Sequence, residues 1–111
     1  MDRRVSIIIV SHDLRDYLLK CISAIDNYTE RSLIEEIVLV DNGSPKEIGE
    51  EEIAAVTSIR TVLVPLKENS SYSLANNRGV SASGGGYVCF MNNDVEVLRD
   101  WLPPLYRVLD G

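Results

Sequence analysis

The chain has 111 residues, a length that predicts one domain, since domains cluster near about 100–150 residues. It is 45% hydrophobic and 25% charged with a net charge of −6, which excludes a disordered chain and a basic nucleic-acid-binding surface. No apolar run approaches the roughly 20 residues of a membrane span, and there is no polybasic patch. We therefore expect a cytoplasmic protein that binds no nucleic acid, with peripheral membrane association of a longer chain left open.

The first half of the chain predicts two strands joined by a helix. Residues 5–10 form an apolar, largely β-branched run typical of a strand buried on both faces, and residues 37–40 form a second such run. Between them, apolar residues recur at helical spacing from position 14 to position 25, with Asp13 placed to cap the helix. Asp41 then opens a segment of strong turn formers.

The middle of the chain repeats this alternation. Residues 47–56 predict a helix whose glutamates form an exposed acidic face rather than a metal site. Residues 61–65 predict a short third strand. Ser70 or Ser71 then opens another helix, because serine is a favoured N-cap residue.

The last quarter predicts a fourth strand and a fourth helix. The segment 83–86, a serine followed by three glycines, ends the preceding helix, and residues 87–91 form the strand. Asp100 is placed to cap the final helix, whose apolar residues between Trp101 and Leu109 we expect to be buried.

The resulting βαβαβαβα order predicts an α/β fold, a Rossmann-like three-layer αβα arrangement with a mainly parallel sheet of about four strands. Ligands of such sheets bind beyond the carboxyl ends of the strands. Polar residues follow every predicted strand, namely Ser11, His12 and Asp13, then Asp41 and Asn42, then 67–70, then Asn92, Asn93 and Asp94. These amides, hydroxyls and acids suit a nucleotide base, a ribose and a metal-bound diphosphate.

Other nucleotide and signalling folds fit the residues less well. The first strand is followed by no GxGxxG, and the chain contains no GxxxxGK[ST] loop. The glycines at 84–86 precede a strand, which indicates a tight turn rather than a phosphate cradle. A phosphoacceptor receiver domain would place clustered acids after the first strand, where this chain has Ser11, His12 and Asp13.

Four motifs carry a resemblance to a known family. In chain order they are VSIIIVSHD at 5–13, VLVDNGS at 38–44, NSSYSLANNRG at 69–79 and GYVCFMNNDV at 86–95. Together they resemble the N-terminal half of a family 2 glycosyltransferase with the GT-A fold. The asparagine-rich third and fourth motifs look most like the bacterial and archaeal branch that includes rhamnosyltransferases.

The resemblance implies a site for the nucleotide base. Ser11, His12 and Asp41 match the family positions that hold the base. A carboxylate can accept the N–H of uracil or thymine, or the amino donors of guanine. The alternative for Asp41 is a turn-capping role, and His12 departs from the tyrosine common in the family.

The resemblance also implies contacts near the base and the phosphates. Asn77 and Arg78 match the family segment in that region, and Asn69 matches the start of the same motif. A guanidinium pairs bidentately with phosphate, which favours Arg78. The alternatives are a surface arginine for Arg78 and a turn-capping residue for Asn69.

Asn92, Asn93 and Asp94 occupy the position of the family's metal-binding DxD motif. The resemblance implies Asp94 as the ligand of Mg²⁺ or Mn²⁺, with Asn92 on the ribose hydroxyls and Asn93 as a weaker companion. The alternative is a capped strand end.

The reaction implied is inverting, metal-dependent transfer of a sugar, of the hexosyltransferase type, from a nucleotide-diphosphate sugar to an acceptor hydroxyl on a glycan, lipid or protein. The family's general base lies beyond the last matched motif, so no residue here takes that role. We expect residues 1–111 to be a single partial GT-A domain, without the acceptor half and inactive alone. It could self-associate through the surface left exposed. The alternative is a non-catalytic nucleotide-binding module or a partner-dependent subunit.

Overall fold

A computed structural model describes residues 3–13, 15–45 and 48–110. The elements are β1 Val5–Ser11, α1 Arg15–Tyr28, a 3₁₀ turn Arg31–Leu33, β2 Ile34–Asn42, α2 Glu50–Ala54, β3 Thr61–Leu66, α3 Tyr72–Ala82, β4 Tyr87–Asn92 and α4 Leu102–Asp110. This confirms the predicted alternation of four strands and four helices. None of the helices within the described ranges has the length and hydrophobicity needed to cross a bilayer.

The four strands form one sheet in the order β3-β2-β1-β4, and every neighbouring pair is parallel. The register pairs Ser11 of β1 with Asp41 of β2, and Val10 of β1 with Asn92 of β4. The carboxyl ends of these strands therefore meet at one edge of the sheet, as the sequence predicts. The parallel α/β sheet is confirmed.

The central strands are buried on both faces, because alternate side chains of a strand point to opposite sides of the sheet. One face packs against α1, α2 and α4, and its buried residues include Ile7, Ile9, Ile22, Leu39, Ile53 and Leu102. The other face packs Ile8, Val38 and Val40 against Ala75 of α3. Gly79 lets α3 approach closely, since a Cβ there would lie 2.5 Å from a methyl group of Ile8. Helices on both faces make the three layers.

The structure differs from the sequence predictions at several helix boundaries. α2 covers only five of the residues predicted at 47–56, and position 47, the predicted start, lies outside the described residues. α4 begins at Leu102, so Asp100, with φ 61°, lies one position too early to be its N-cap. Asp13 has φ 64°, and residue 14, which precedes α1, lies outside the described part. Ser71 is confirmed as the cap of α3, because its hydroxyl accepts from the Leu74 N–H at 3.1 Å.

The prediction that the apolar residues of α4 are all buried is wrong in part. Leu102 is buried and Trp101 is half-buried, with its indole N–H donating to Thr29. Leu105 and Val108 are exposed, Val108 to 82%. Helical spacing shows that an apolar stripe exists, but it does not show whether the described residues cover all of it. The side chain of Leu109 lies outside the described part.

A buried glutamate explains the glycine turn before β4. Glu36 is 1% exposed, and its Oε2 accepts from the Ser6 hydroxyl and from the Gly84 N–H, both at 2.6 Å. Gly85 N–H donates to the same serine hydroxyl at 2.9 Å, and Arg60 lies 3.4 Å from the other carboxylate oxygen. These contacts lie at the amino ends of the strands. The glycine segment is therefore a turn held by Glu36.

Candidate functional site

The carboxyl edge of the sheet brings together side chains from β1, from β2, from the loop before α3, and from the end of β4. His12 is held by β2, because its Nδ1 lies 2.8 Å from the carbonyl oxygen of Asn42. A carbonyl oxygen can only accept, so Nδ1 carries the proton of this bond. The ring is otherwise exposed, which leaves Nε2 available.

Asp41 is buried at the end of β2, with 8% exposure. Its Oδ1 accepts from the Ser44 N–H at 3.1 Å, and the Ser44 hydroxyl in turn accepts from the Asp13 N–H at 2.9 Å. Asp41 therefore does cap the turn that follows β2, which is the alternative that the sequence left open. A carboxylate has further lone pairs, so this bond leaves it able to accept from a ligand.

Asn42 is a buried residue at the end of β2. Its position in the sequence places it at the predicted ligand edge but indicates no role for its side chain. Its Oδ1 accepts from the Ser70 N–H at 2.8 Å and from the Ser70 hydroxyl at 3.0 Å. Its Nδ2 donates to the Ser70 carbonyl oxygen at 2.9 Å. The side chain thus joins the end of β2 to the loop that follows β3. An amide at the end of a buried run was the only signal for it in the sequence.

Gly43 packs against that same loop. It has φ +76°, and a Cβ added to it would lie 2.4 Å from the backbone nitrogen of Asn69. The turn after β2 and the loop after β3 are therefore in direct backbone contact. Asn69, which is exposed, lies at this contact.

The other two residues of the third motif lie further away. Asn77 and Arg78 are exposed positions within α3, more than one turn beyond its first residue, Tyr72. Arg78 precedes Gly79, which packs against the middle of the sheet at Ile8. No hydrogen bond among the described residues joins Asn77 or Arg78 to the polar side chains at the carboxyl ends of the strands.

The fourth motif lies beside the end of β1. The Asn93 amide is 3.4 Å from the Ser11 hydroxyl, and the Tyr72 hydroxyl donates to Asn92 Oδ1 at 3.1 Å. Asp94 is exposed in the turn after β4. The fourth motif therefore contacts both β1 and the start of α3.

Burial and the charges at this end of the sheet affect the pKa of the Cys21 thiol. Burial, with added repulsion from Asp94 and Glu96, raises its pKa to about 11. Burial alone raises the pKa of the Cys89 thiol. Both cysteines are free thiols. The Asp94 and Glu96 carboxylates therefore lie close enough to Cys21 to affect its thiol.

A complete metal cage made of protein side chains is not present. Across residues 3–13, 15–45 and 48–110, no three His, Cys, Asp or Glu side chains are grouped so that they could hold a metal ion. Asp94 is the carboxylate of the fourth motif, and its neighbours in that motif, Asn92 and Asn93, are amides. Such a set fits a metal ion whose other ligands come from phosphate and water.

Comparison with known proteins gives one consistent family. Residues 6–111 match the model of glycosyl transferase family 2. The chain is 29% identical over 109 residues to "Glycosyltransferase GlyA" of Streptococcus pneumoniae, covering 96% of this chain and 15% of that protein. It is 30% identical over 110 residues to "Glycosyltransferase AglE" of Haloferax volcanii, covering 96% and 36%. The chain thus spans much less than half of these relatives.

Solved structures show the same fold. Staphylococcus aureus TarS 1-349 has a TM-score of 0.80 at 16% identity, covering 96% of this chain and 32% of that one. GalNAc-T7, solved with UDP, GalNAc and Mn²⁺, has a TM-score of 0.82 at 23% identity, covering 93% and 20%. Fold and family comparisons therefore agree with the four sequence motifs. The chain belongs to glycosyl transferase family 2.

Proposed function

We propose that this chain is the donor-binding part of a glycosyltransferase that transfers a sugar from a nucleotide-diphosphate sugar to an acceptor hydroxyl with inversion. The observation that carries the proposal is the cluster of polar side chains where three adjacent parallel strands end, in a chain of glycosyl transferase family 2. In open α/β sheets this edge is where ligands bind. The chain then supplies the donor-binding part of a GT-A fold.

Ser11, His12 and Asp41 bind the nucleotide base in this proposal. The bond from His12 to the Asn42 carbonyl oxygen holds the imidazole at the edge of the sheet, where it can stack or hydrogen-bond. The buried Asp41 carboxylate is already oriented by the Ser44 N–H. A buried acceptor of fixed direction selects a base that presents an N–H.

Asn92, Asn93 and Asp94 face the ribose and the diphosphate. Asp94 is the ligand of Mg²⁺ or Mn²⁺, Asn92 bonds to the ribose hydroxyls, and Asn93 is a weaker companion. The neighbouring structure that contains UDP and Mn²⁺ supports this assignment. The metal would offset the charge that develops on the diphosphate as the sugar leaves.

Asn69, Asn77 and Arg78 complete the proposed donor site. Asn69 lies at the backbone contact with Gly43, beside the proposed base site. Asn77 and Arg78 start from an exposed face of α3, so Arg78 would have to extend along that helix to reach a phosphate. A guanidinium on a long side chain is suited to such a reach.

The reaction needs a group that removes the proton of the acceptor hydroxyl. We assign that role to no residue of this chain, so we expect residues 1–111 alone to bind donor without transferring sugar. The acceptor, whether glycan, lipid or protein, is then recognised elsewhere. The cytoplasmic location expected from the composition stays a prediction.

Calorimetric titration of the chain with UDP, dTDP and GDP, with and without Mn²⁺, tests the proposal. We expect one nucleoside diphosphate to bind at one site per chain, more tightly with Mn²⁺. Binding that Mn²⁺ does not affect would favour the non-catalytic nucleotide-binding module instead. If none of the three nucleotides binds in either condition, the proposed function is wrong.

We also propose that the chain pairs with a second copy of itself through the apolar side of α4. On that helix Leu105 is 54% exposed and Val108 is 82% exposed. Exposed apolar patches of this kind mark interaction surfaces. A second copy of the chain would cover them.

Sedimentation velocity over a range of protein concentrations measures this association. We expect the wild-type chain to form dimers, and we expect Val108→Lys to remain a monomer because the pair would bury the new charge. Leu98→Lys is the control, since Leu98 is exposed outside α4. A wild-type chain that stays monomeric at the highest concentration would contradict association through α4.

A further inference from the structure

We propose that Asn42 is a positioning residue of the donor site, which holds the β3–α3 loop and the His12 ring at fixed places. The inference rests on the proposed function, because it concerns the same strand-end cluster. Asn42 need not touch the nucleotide for this role. It acts through Ser70 and His12.

The geometry around Asn42 is complete. The side chain is 6% exposed and makes three hydrogen bonds, all of them to Ser70. Its backbone carbonyl oxygen is the partner of His12 Nδ1 at 2.8 Å. One buried residue therefore connects the end of β1, the end of β2 and the loop after β3.

These bonds control a segment that carries the proposed site. Ser70 lies between Asn69, which contacts Gly43, and Ser71, which caps α3. Tyr72, the first residue of that helix, donates to Asn92. Fixing Ser70 therefore fixes both the loop and the start of α3 relative to the fourth motif.

The chemistry of the contact requires an amide. Asn42 Oδ1 accepts twice, while Nδ2 donates to a carbonyl oxygen. A carboxylate at this position would keep the two accepted bonds, but it would place an oxygen against the Ser70 carbonyl oxygen. Two acceptors that face each other repel. Asn42→Asp therefore removes the donated bond while it keeps the two accepted ones.

Three variants remove different numbers of the hydrogen bonds between Asn42 and Ser70. Asn42→Ala removes all three side-chain bonds, Asn42→Asp removes the donated bond, and Ser70→Ala removes only the hydroxyl bond. Val38→Ala is the matched control, since Val38 is a fully buried residue of the same strand that faces α3 below the site. It lowers stability without touching Ser70 or His12.

Two readouts separate positioning from stability, namely the affinity for UDP with Mn²⁺ and the hydrogen-exchange rate of the Ser70 N–H. We expect Asn42→Ala to weaken UDP binding by about tenfold or more, since each lost bond contributes a fraction of a tenfold step. Exchange at Ser70 should accelerate by a similar factor. Asn42→Asp and Ser70→Ala should fall between Asn42→Ala and wild type, and Val38→Ala should bind as wild type does.

The outcomes for the inference and for the proposed function are distinct. If the wild type binds UDP and Asn42→Ala binds it equally well, the inference is wrong while the proposed function stands. If Val38→Ala weakens binding as much as Asn42→Ala does at equal loss of stability, Asn42 is merely structural. If no nucleotide binds the wild type, the proposed function fails. The exchange of Ser70 then still shows whether Asn42 holds the loop.

Discussion

Replacing Asp94 with asparagine is expected to weaken Mn²⁺-dependent UDP binding by about 10- to 100-fold, because hydrogen bonds and ion contacts to charged groups contribute more than neutral ones. Asp94 is the carboxylate of the fourth motif, and amides replace the acids that the family's metal motif has at this place. Without that charge the protein would offer the metal only a neutral amide oxygen beside phosphate and water. UDP binding measured without Mn²⁺ should change little.

Glu96→Gln is the matched control for this variant. Glu96 is also exposed, carries the same charge and also contributes to the raised pKa of Cys21. A general loss of negative potential would therefore weaken Mn²⁺-dependent binding in both variants to a similar extent. Loss in Asp94→Asn alone supports direct ligation, and equal losses would argue against it.

Replacing Gly43 with alanine is expected to lower the free energy of unfolding by about 2–4 kcal/mol, through left-handed backbone strain and a steric clash. The φ angle of +76° disfavours any side chain, and the new Cβ would lie 2.4 Å from the Asn69 nitrogen. That neighbour is backbone, so the whole β3–α3 loop must move. Denaturant unfolding measures the loss, and UDP affinity should fall with it.

Gly49→Ala provides the comparison for Gly43. Gly49 has φ −94°, and the nearest atom to an added Cβ is a flexible Glu52 oxygen at 3.9 Å. This substitution should cost less than about 1 kcal/mol, the usual range for a change at a helix N-cap. Equal losses at the two glycines would mean that the contact of Gly43 with Asn69 does not constrain the loop.

The sheet and the meeting of its polar strand ends could be predicted from the sequence because both depend on local patterns. The buried run at 5–10 and the one at 37–40 each end in polar residues, and parallel pairing brings such ends together. The role of Asp41 could not be predicted from such patterns. Turn capping and base binding use the same carboxylate at the same position, and the sequence could not separate them. The structure shows the capping bond to Ser44 and leaves acceptor capacity for a ligand.

Contacts between distant parts of the chain could not be predicted in this way. Glu36 is an acidic residue, and such residues are usually exposed. It is nevertheless buried, because Ser6 and Gly84, from two other parts of the chain, supply its hydrogen bonds. Asn42 is similar, since its partner Ser70 lies in the loop after another strand. The exposed Val108 is a third case, because an apolar stripe does not specify what covers it.

The most direct test of the donor site is the place where Mn²⁺ sits when UDP is bound. Mn²⁺ is paramagnetic and broadens the NMR signals of nearby amides, so a ¹⁵N-labelled chain with UDP and substoichiometric Mn²⁺ locates the ion. We predict selective broadening around Asp94, Ser11 and the turn after Asp41. Broadening centred instead on the acidic helix Glu50–Ala54, or spread evenly over the chain, would contradict a nucleotide-diphosphate site at the carboxyl edge of the sheet.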